Sequence, residues 1–371
     1  MPKKNDRRPD YVLLVAVVAL VVVGVLFVYS ASSYSAERTY GNKFYFATKQ
    51  AIGAAVGIVA LVVCSFLPMR LVRKMWIVGV VLSVVLLALV FVPGIGIENY
   101  GAKRWIGFGG FSMQPSEIAK FAFVLFAAVY MSRADMSRPV CCLPVLGVGC
   151  LLCLLIIAEP NMSITVCMAA VMLAMLFIGG VKAKYFVLLL VPALVAAPVL
   201  IFLEPYRVQR LLAFIDPWAS PKGEGYQLIQ SLYALGSGGF FGVGLFNSRQ
   251  KLRFLPFAES DFVFAVIGEE TGLVGCLILF ALYLLVIVRG VRIALNSCDK
   301  FGMLLGGGIT AVIAVQSIVN FAVVTGSVPP TGLPLPFVSY GGTSLVVFMS
   351  AVGLLLNLSK SCVEGRKNWI T

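Results

Sequence analysis

Ten separate apolar stretches run through the chain, at roughly 11–31, 45–67, 75–93, 116–132, 139–158, 161–180, 185–203, 262–288, 302–325 and 337–358. Most hold about 20 residues, enough for an α-helix rising 1.5 Å per residue to cross a hydrocarbon core of about 30 Å. Backbone in lipid must satisfy its own N–H and C=O groups, so helices are the expected spanning form. The expected fold is all-α: a polytopic membrane protein with ten transmembrane helices, forming one membrane domain over residues 1–371. The first stretch is too long, and wrongly flanked, for a cleaved signal peptide. Composition agrees, with 60% hydrophobic residues, a mean hydropathy of +0.98 and 12% charged residues, against about 25% charged in soluble domains.

The net charge of +13 is read through topology rather than as a sign of nucleic acid. With the N-terminus inside, inner segments hold 17 of the 29 Lys and Arg, including Lys3, Lys4, Arg7, Arg366 and Lys367. Outer segments hold ten, six of them in one long loop, 204–261, where the bias counts least. Both termini are therefore expected in the cytoplasm, with one large extracytoplasmic loop. The nine cysteines lie in spans or near the inner face, Cys362 among them, so no oxidised framework is expected. There is no histidine, which excludes an imidazole base, a Ser-His-Asp triad and HExxH zinc chemistry. No nucleotide motif appears.

The outer segments carry the chemistry-bearing residues. Lys103 and Arg104 flank Trp105 and read either as interfacial anchors or as a phosphate clamp. Glu117 and Lys120 share a helix face within an apolar span. They read either as an internal ion pair or as contacts to a substrate headgroup. Pro115 suits a first helical turn, with Ser112 or Ser116 as cap. The long loop holds aromatic residues, an amphipathic stretch over 226–235, and the glycine run 236–244, read as turns or as close approach to a ligand. Arg249, Lys251 and Arg253 alternate ahead of Asp261, which is either a helix cap or a carboxylate for glycosyl transfer. Four prolines between 329 and 336 make a rigid loop, whose hydroxyls, Ser339 among them, bind sugars or satisfy broken helix ends.

The segments GAKRWIGFGGFSMQPSEIAK, PYRVQRLLAFIDPW, YQLIQSLYALGSGGFFGVGLFNSRQK, DFVFAVIGEE and PPTGLPLPFVSYGGTS, in this order, resemble the SEDS family (FtsW, RodA and SpoVE). SRQK and VTGS look more like FtsW and SpoVE than RodA. The resemblance implies a peptidoglycan glycosyltransferase that polymerises lipid II on the outer face of the cytoplasmic membrane, in division or sporulation. It implies a glycan carried on undecaprenyl pyrophosphate, a class B penicillin-binding protein and other divisome proteins as partners, and a place at the septum. The family's catalytic aspartate maps onto Asp261, its span carboxylate and lysine onto Glu117 and Lys120, and its loop arginine onto Arg104. Lys103, Arg207, Arg210, Arg249, Lys251 and Arg253 are further candidates for the leaving pyrophosphate, as is a divalent cation, Mg or Mn. Two motifs depart from the family: PFAESD stands for PEAHTD, and EPNMSIT, with Asn161, stands for QPDLGT. A lipid II flippase is the alternative, with Lys49, Glu117, Lys120, Glu269 and Glu270 as a polar path; a non-catalytic scaffold for a transpeptidase is another.

Overall fold

A computed structural model describes residues 8–99, 102–108, 111–186, 188, 198, 202 and 205–360. Most of the expected span 185–203 lies outside the described residues, as do Lys3, Lys4, Arg7, Cys362, Arg366 and Lys367. Twelve α-helices occur among the described residues. They are α1 (Tyr11–Tyr40), α2 (Tyr45–Phe66), α3 (Met69–Lys74), α4 (Trp76–Leu89), α5 (Pro115–Met131) and α6 (Leu143–Ala158). Then follow α7 (Met162–Ile178), α8 (Pro205–Ile215), α9 (Tyr226–Gly238), α10 (Val263–Leu295), α11 (Lys300–Val324) and α12 (Gly342–Lys360).

Six helical segments among the described residues are long and apolar enough to cross a membrane; α4 and α7 are apolar but shorter. Their large side chains divide by face. Leu20, Phe123, Val171, Leu304 and Phe348 are buried between helices, while Val15, Phe66, Phe177 and Leu277 face outward. Exposed apolar faces on helices of this length suit lipid rather than water. Polar side chains set the helix starts. Asp10 accepts from Leu13 N, Asn161 from Ile164 N and Asp299 from Gly302 N. The Asn161 departure is therefore an ordinary N-cap. The N-cap of α5 is Gln114, with no side-chain bond, and the Ser116 hydroxyl is buried without a partner among the described residues, so neither serine caps that helix as expected.

Two features go beyond a plain helical bundle. The loop before α5 folds as a three-stranded antiparallel meander, β1 (Gly96–Asn99), β2 (Ala102–Phe108) and β3 (Phe111–Met113), which carries Lys103 and Arg104 on its middle strand. The expected all-α fold is thus correct for the bundle and lacks this sheet.

The second feature is a break in α10 at Gly272, whose φ of 66° and ψ of −165° belong to glycine. The glycine run lies against the break. Val243 N and Gly244 N donate to Glu269 O and Glu270 O, while Leu273 N and Val274 N donate to Gly239 O and Phe240 O. Backbone groups that the break releases are thereby satisfied within the protein. The Glu269 carboxylate accepts from Ser248 Oγ, Arg249 N and Gln250 N. That of Glu270 accepts from Ser30 Oγ, Phe246 N, Ser248 N and Lys251 Nζ. Two adjacent carboxylates thus fold the SRQK segment onto α1 and α10.

Candidate active site

The proline loop, 325–341, is held from several sides. Asn320 Nδ2 donates to Leu333 O at 2.7 Å and to Asp261 O at 2.9 Å, joining the loop to the start of α10. Gln316, one turn earlier on α11, donates to Pro334 O at 2.9 Å, and the Tyr283 hydroxyl bonds Pro336 O. Ser339 Oγ donates to Ser260 O at 2.5 Å and accepts from Leu335 N at 2.7 Å, and Tyr340 N donates to Glu259 O. Ser163, in the first turn of α7, bonds Thr331 O. Arg210 Nη1 donates to Pro330 O at 3.3 Å, and its Nε lies 3.7 Å from Glu224 Oε2.

Asp261 lies under this loop, just before α10, and is half-buried. Burial raises its carboxyl to about 6, helped by the nearby Glu259; Arg210, the Ser260 hydroxyl and Arg104 pull it back down. Glu259 is itself raised by burial. Arg104 reaches in from β2, donating through Nε to Glu159 O at 3.4 Å and through Nη2 to Pro160 O. The Glu159 carboxyl, at the end of α6, is fully buried and pushed up to about 8 by that burial, against the pull of Arg104. A carboxylate that ionises near neutral pH suits a general base, and guanidinium groups suit phosphate oxygens.

Among the cations expected at the site, Arg104 and Arg210 are the two whose charge reaches Asp261. Arg207 lies one turn before Arg210 on α8, and Lys103 is exposed on β2. Lys251 Nζ is buried at 3.1 Å from Glu270 Oε1 and 2.6 Å from Phe246 O. Arg249 exposes its side chain, while Arg253 Nη2 donates to Thr39 Oγ1. Ser339 is buried, with its hydroxyl held by the loop and by Ser260. Glu117 and Lys120 are fully buried and 2.9 Å apart; Lys120 also bonds Gln316 Oε1, and Ser344 Oγ donates to Glu117 Oε2. The pair therefore supports the proline loop through Gln316. Lys49 Nζ donates to its neighbour, the Tyr45 hydroxyl.

Among the described residues no three acidic, His or Cys side chains converge to hold a metal ion by protein ligands alone, whereas Mg is ordinarily held by one or two carboxylates together with substrate phosphates. Near Asp261 the available carboxyl is that of Glu259, beside the charges of Arg104 and Arg210. Sequence reasoning passed over Gln316, Asn320, Gly332 and the role of Glu159. Two amides four residues apart in an apolar helix were the available signal for Gln316 and Asn320.

The fold and site define a polytopic helical membrane protein with an acid–arginine cluster at one end of its bundle. A family model described as cell cycle protein, covering FtsW, RodA and SpoVE, matches residues 11–363, and the chain belongs to that family. It is 38% identical to the stage V sporulation protein E of Bacillus subtilis, over 96% of this chain and 98% of that protein. It is 41% identical to the probable peptidoglycan glycosyltransferase FtsW of Trichlorobacter lovleyi, over 94% and 93% of the two chains. Among solved structures, it resembles a chain of a peptidoglycan synthase complex described for its coordination of polymerization and crosslinking. That match has a TM-score of 0.80 and 28% identity, and covers 96% of this chain and 99% of the other. The rod shape determining protein RodA of Thermus thermophilus matches with a TM-score of 0.71 and 25% identity, covering 96% and 98% of the two chains.

Proposed function

We propose that this chain is a peptidoglycan glycosyltransferase that polymerises lipid II, with Asp261 as general base. The observation that carries the reading is the position of Asp261. Its carboxyl is raised to about 6, under a rigid loop, and feels the charges of Arg104 and Arg210, which are held on the Pro160 and Pro330 carbonyls. Above that pH the carboxylate takes the proton of the acceptor sugar hydroxyl. The hydroxyl oxygen bonds to the anomeric carbon of the lipid-linked donor. The bond from that carbon to the pyrophosphate breaks, and its electron pair leaves with undecaprenyl pyrophosphate. Arg104 and Arg210 offset the charge that develops on the leaving group. Relatives that carry the glycosyltransferase name across nearly their full length support the assignment.

In this reading the protein lies in the cytoplasmic membrane at the division septum, with both termini inside and Asp261 on the outer face. Its partners are a class B penicillin-binding protein and other divisome proteins. Similarity to a chain of a peptidoglycan synthase complex supports such an assembly. The side chains that would form a flippase path are already engaged. Lys120 is held by Glu117 and Gln316, and Glu269 and Glu270 by the 246–251 segment. The test is purified protein in vesicles with lipid II, reading polymer length and lipid II movement together. Polymer formation supports the enzyme; movement without polymer supports the flippase.

A further inference from the structure

The site contains a second carboxyl that the proposed reaction leaves unused. Glu159 closes α6, is fully buried, and has no hydrogen-bond partner among the described residues on either carboxylate oxygen. Its backbone carbonyl, with that of Pro160, receives the Arg104 guanidinium. Among the described residues, neither α6 nor the first turn of α7 adds a charge, Glu117 and Lys120 on the neighbouring α5 pair with each other, and Arg104 is the charged group felt at the carboxyl. Burying an ionised carboxylate without hydrogen bonds is costly, so this group favours its neutral form.

We propose that Glu159 is a positioning residue that sets how much of the Arg104 charge reaches the lipid-linked donor: as a neutral acid it leaves that charge to the pyrophosphate, and as a carboxylate it cancels it. The inference rests on the glycosyltransferase reading for the identity of the ligand. Burial pushes the Glu159 carboxyl up to about 8, so the changeover falls in the weakly alkaline range. Arg104 is also felt at Asp261, so one guanidinium connects the two acids. Binding of a pyrophosphate-bearing lipid should then weaken as pH rises through that value, with the Glu159 proton released to solvent.

The experiment uses the full chain carrying Asp261→Asn, which removes turnover and the titration of that residue. Lipid II affinity is measured at pH 7 and pH 9. A group titrating near 8 is about nine-tenths ionised at pH 9, so affinity should fall by about tenfold. Adding Glu159→Gln should make affinity equal at the two pH values. Adding Arg104→Gln instead should weaken binding at both and remove the pH response. If Glu159→Gln does not fold, Glu159→Met supplies the same comparison with an uncharged side chain. A pH response that persists in the Glu159 variant, or in the Arg104 variant, overturns the proposal. Polymerisation by the unmodified chain at pH 7 is scored separately. If that fails while the binding response holds, the glycosyltransferase reading falls and the Glu159 switch stands.

Discussion

Asp261 packs against Gly332, where a β-carbon would stand 3.2 Å from Asp261 Oδ2. Gly332 has a φ of +71°, a conformation that costs other residues roughly 1–2 kcal/mol. The rigid loop thus meets the candidate base at the one residue type that leaves it room.

Gly332→Ala should therefore damage turnover more than folding. The loop retains its bonds to Gln316, Asn320 and Arg210, while the carboxylate must shift. Misplacing a catalytic group by about 1 Å can cost roughly a hundredfold. A polymerisation rate lowered at least about tenfold, with a melting temperature within a few degrees of the parent, is expected.

The raised carboxyl of Asp261 has a consequence for stability. Its folded value is about 6 against an ordinary 3.8. The stability associated with the protonated form is complete below the ordinary value and is lost as pH rises through the folded value. Asp261→Asn carries no such loss. Its thermal stability relative to the parent should rise between about pH 4 and pH 6 and stay level above, as melting curves across that range would reveal.

Much of this arrangement is legible in the sequence, and the limits have physical causes. The apolar run lengths foretell helices because lipid leaves the backbone no other partner, and the PFAESD segment marks Asp261 by its place before such a run. Lys251 is less legible. Alternating cations look like a phosphate clamp until Glu270 is seen beneath Lys251, and that pairing also involves Ser30, 221 residues away from the lysine. Ser339 and Ser260, 79 residues apart, meet through backbone geometry that spacing does not encode. The meander over 96–113 went unread because its strands are short and its glycines look like loop. Glu159 was visible only as a departure from a motif; its burial belongs to the fold.

The Glu117–Lys120 pair offers a test of support at a distance. Glu117→Gln leaves a buried ammonium with Gln316 as its remaining side-chain hydrogen-bond partner. Breaking such a pair costs about 3–5 kcal/mol. The double change Glu117→Gln with Lys120→Met should recover most of the lost stability, read by thermal melting. If polymerisation recovers as well, the pair serves only to neutralise itself within the bundle; stable but inactive protein would instead mean that Lys120 is needed, through its bond to Gln316 or at the substrate.

Gly272→Ala should prevent folding. A β-carbon there would stand 2.4 Å from Gly242 N and 2.5 Å from Phe240 O, in a backbone conformation that alanine disfavours. Loss of the monodisperse peak on size-exclusion chromatography is the expected result, whereas Gly236→Ala, with open space around it, should purify normally.

The most direct test of the account compares the parent chain with Asp261→Asn in the polymerisation of purified lipid II at pH 7.5. Asparagine keeps the size and hydrogen bonding of the side chain but cannot take the proton. General-base catalysis is worth roughly 10²–10⁴ in rate, so the expected result is at least a hundredfold loss of polymer formation in a folded variant. Polymer of normal length, formed at a near-normal rate by Asp261→Asn, would contradict the account.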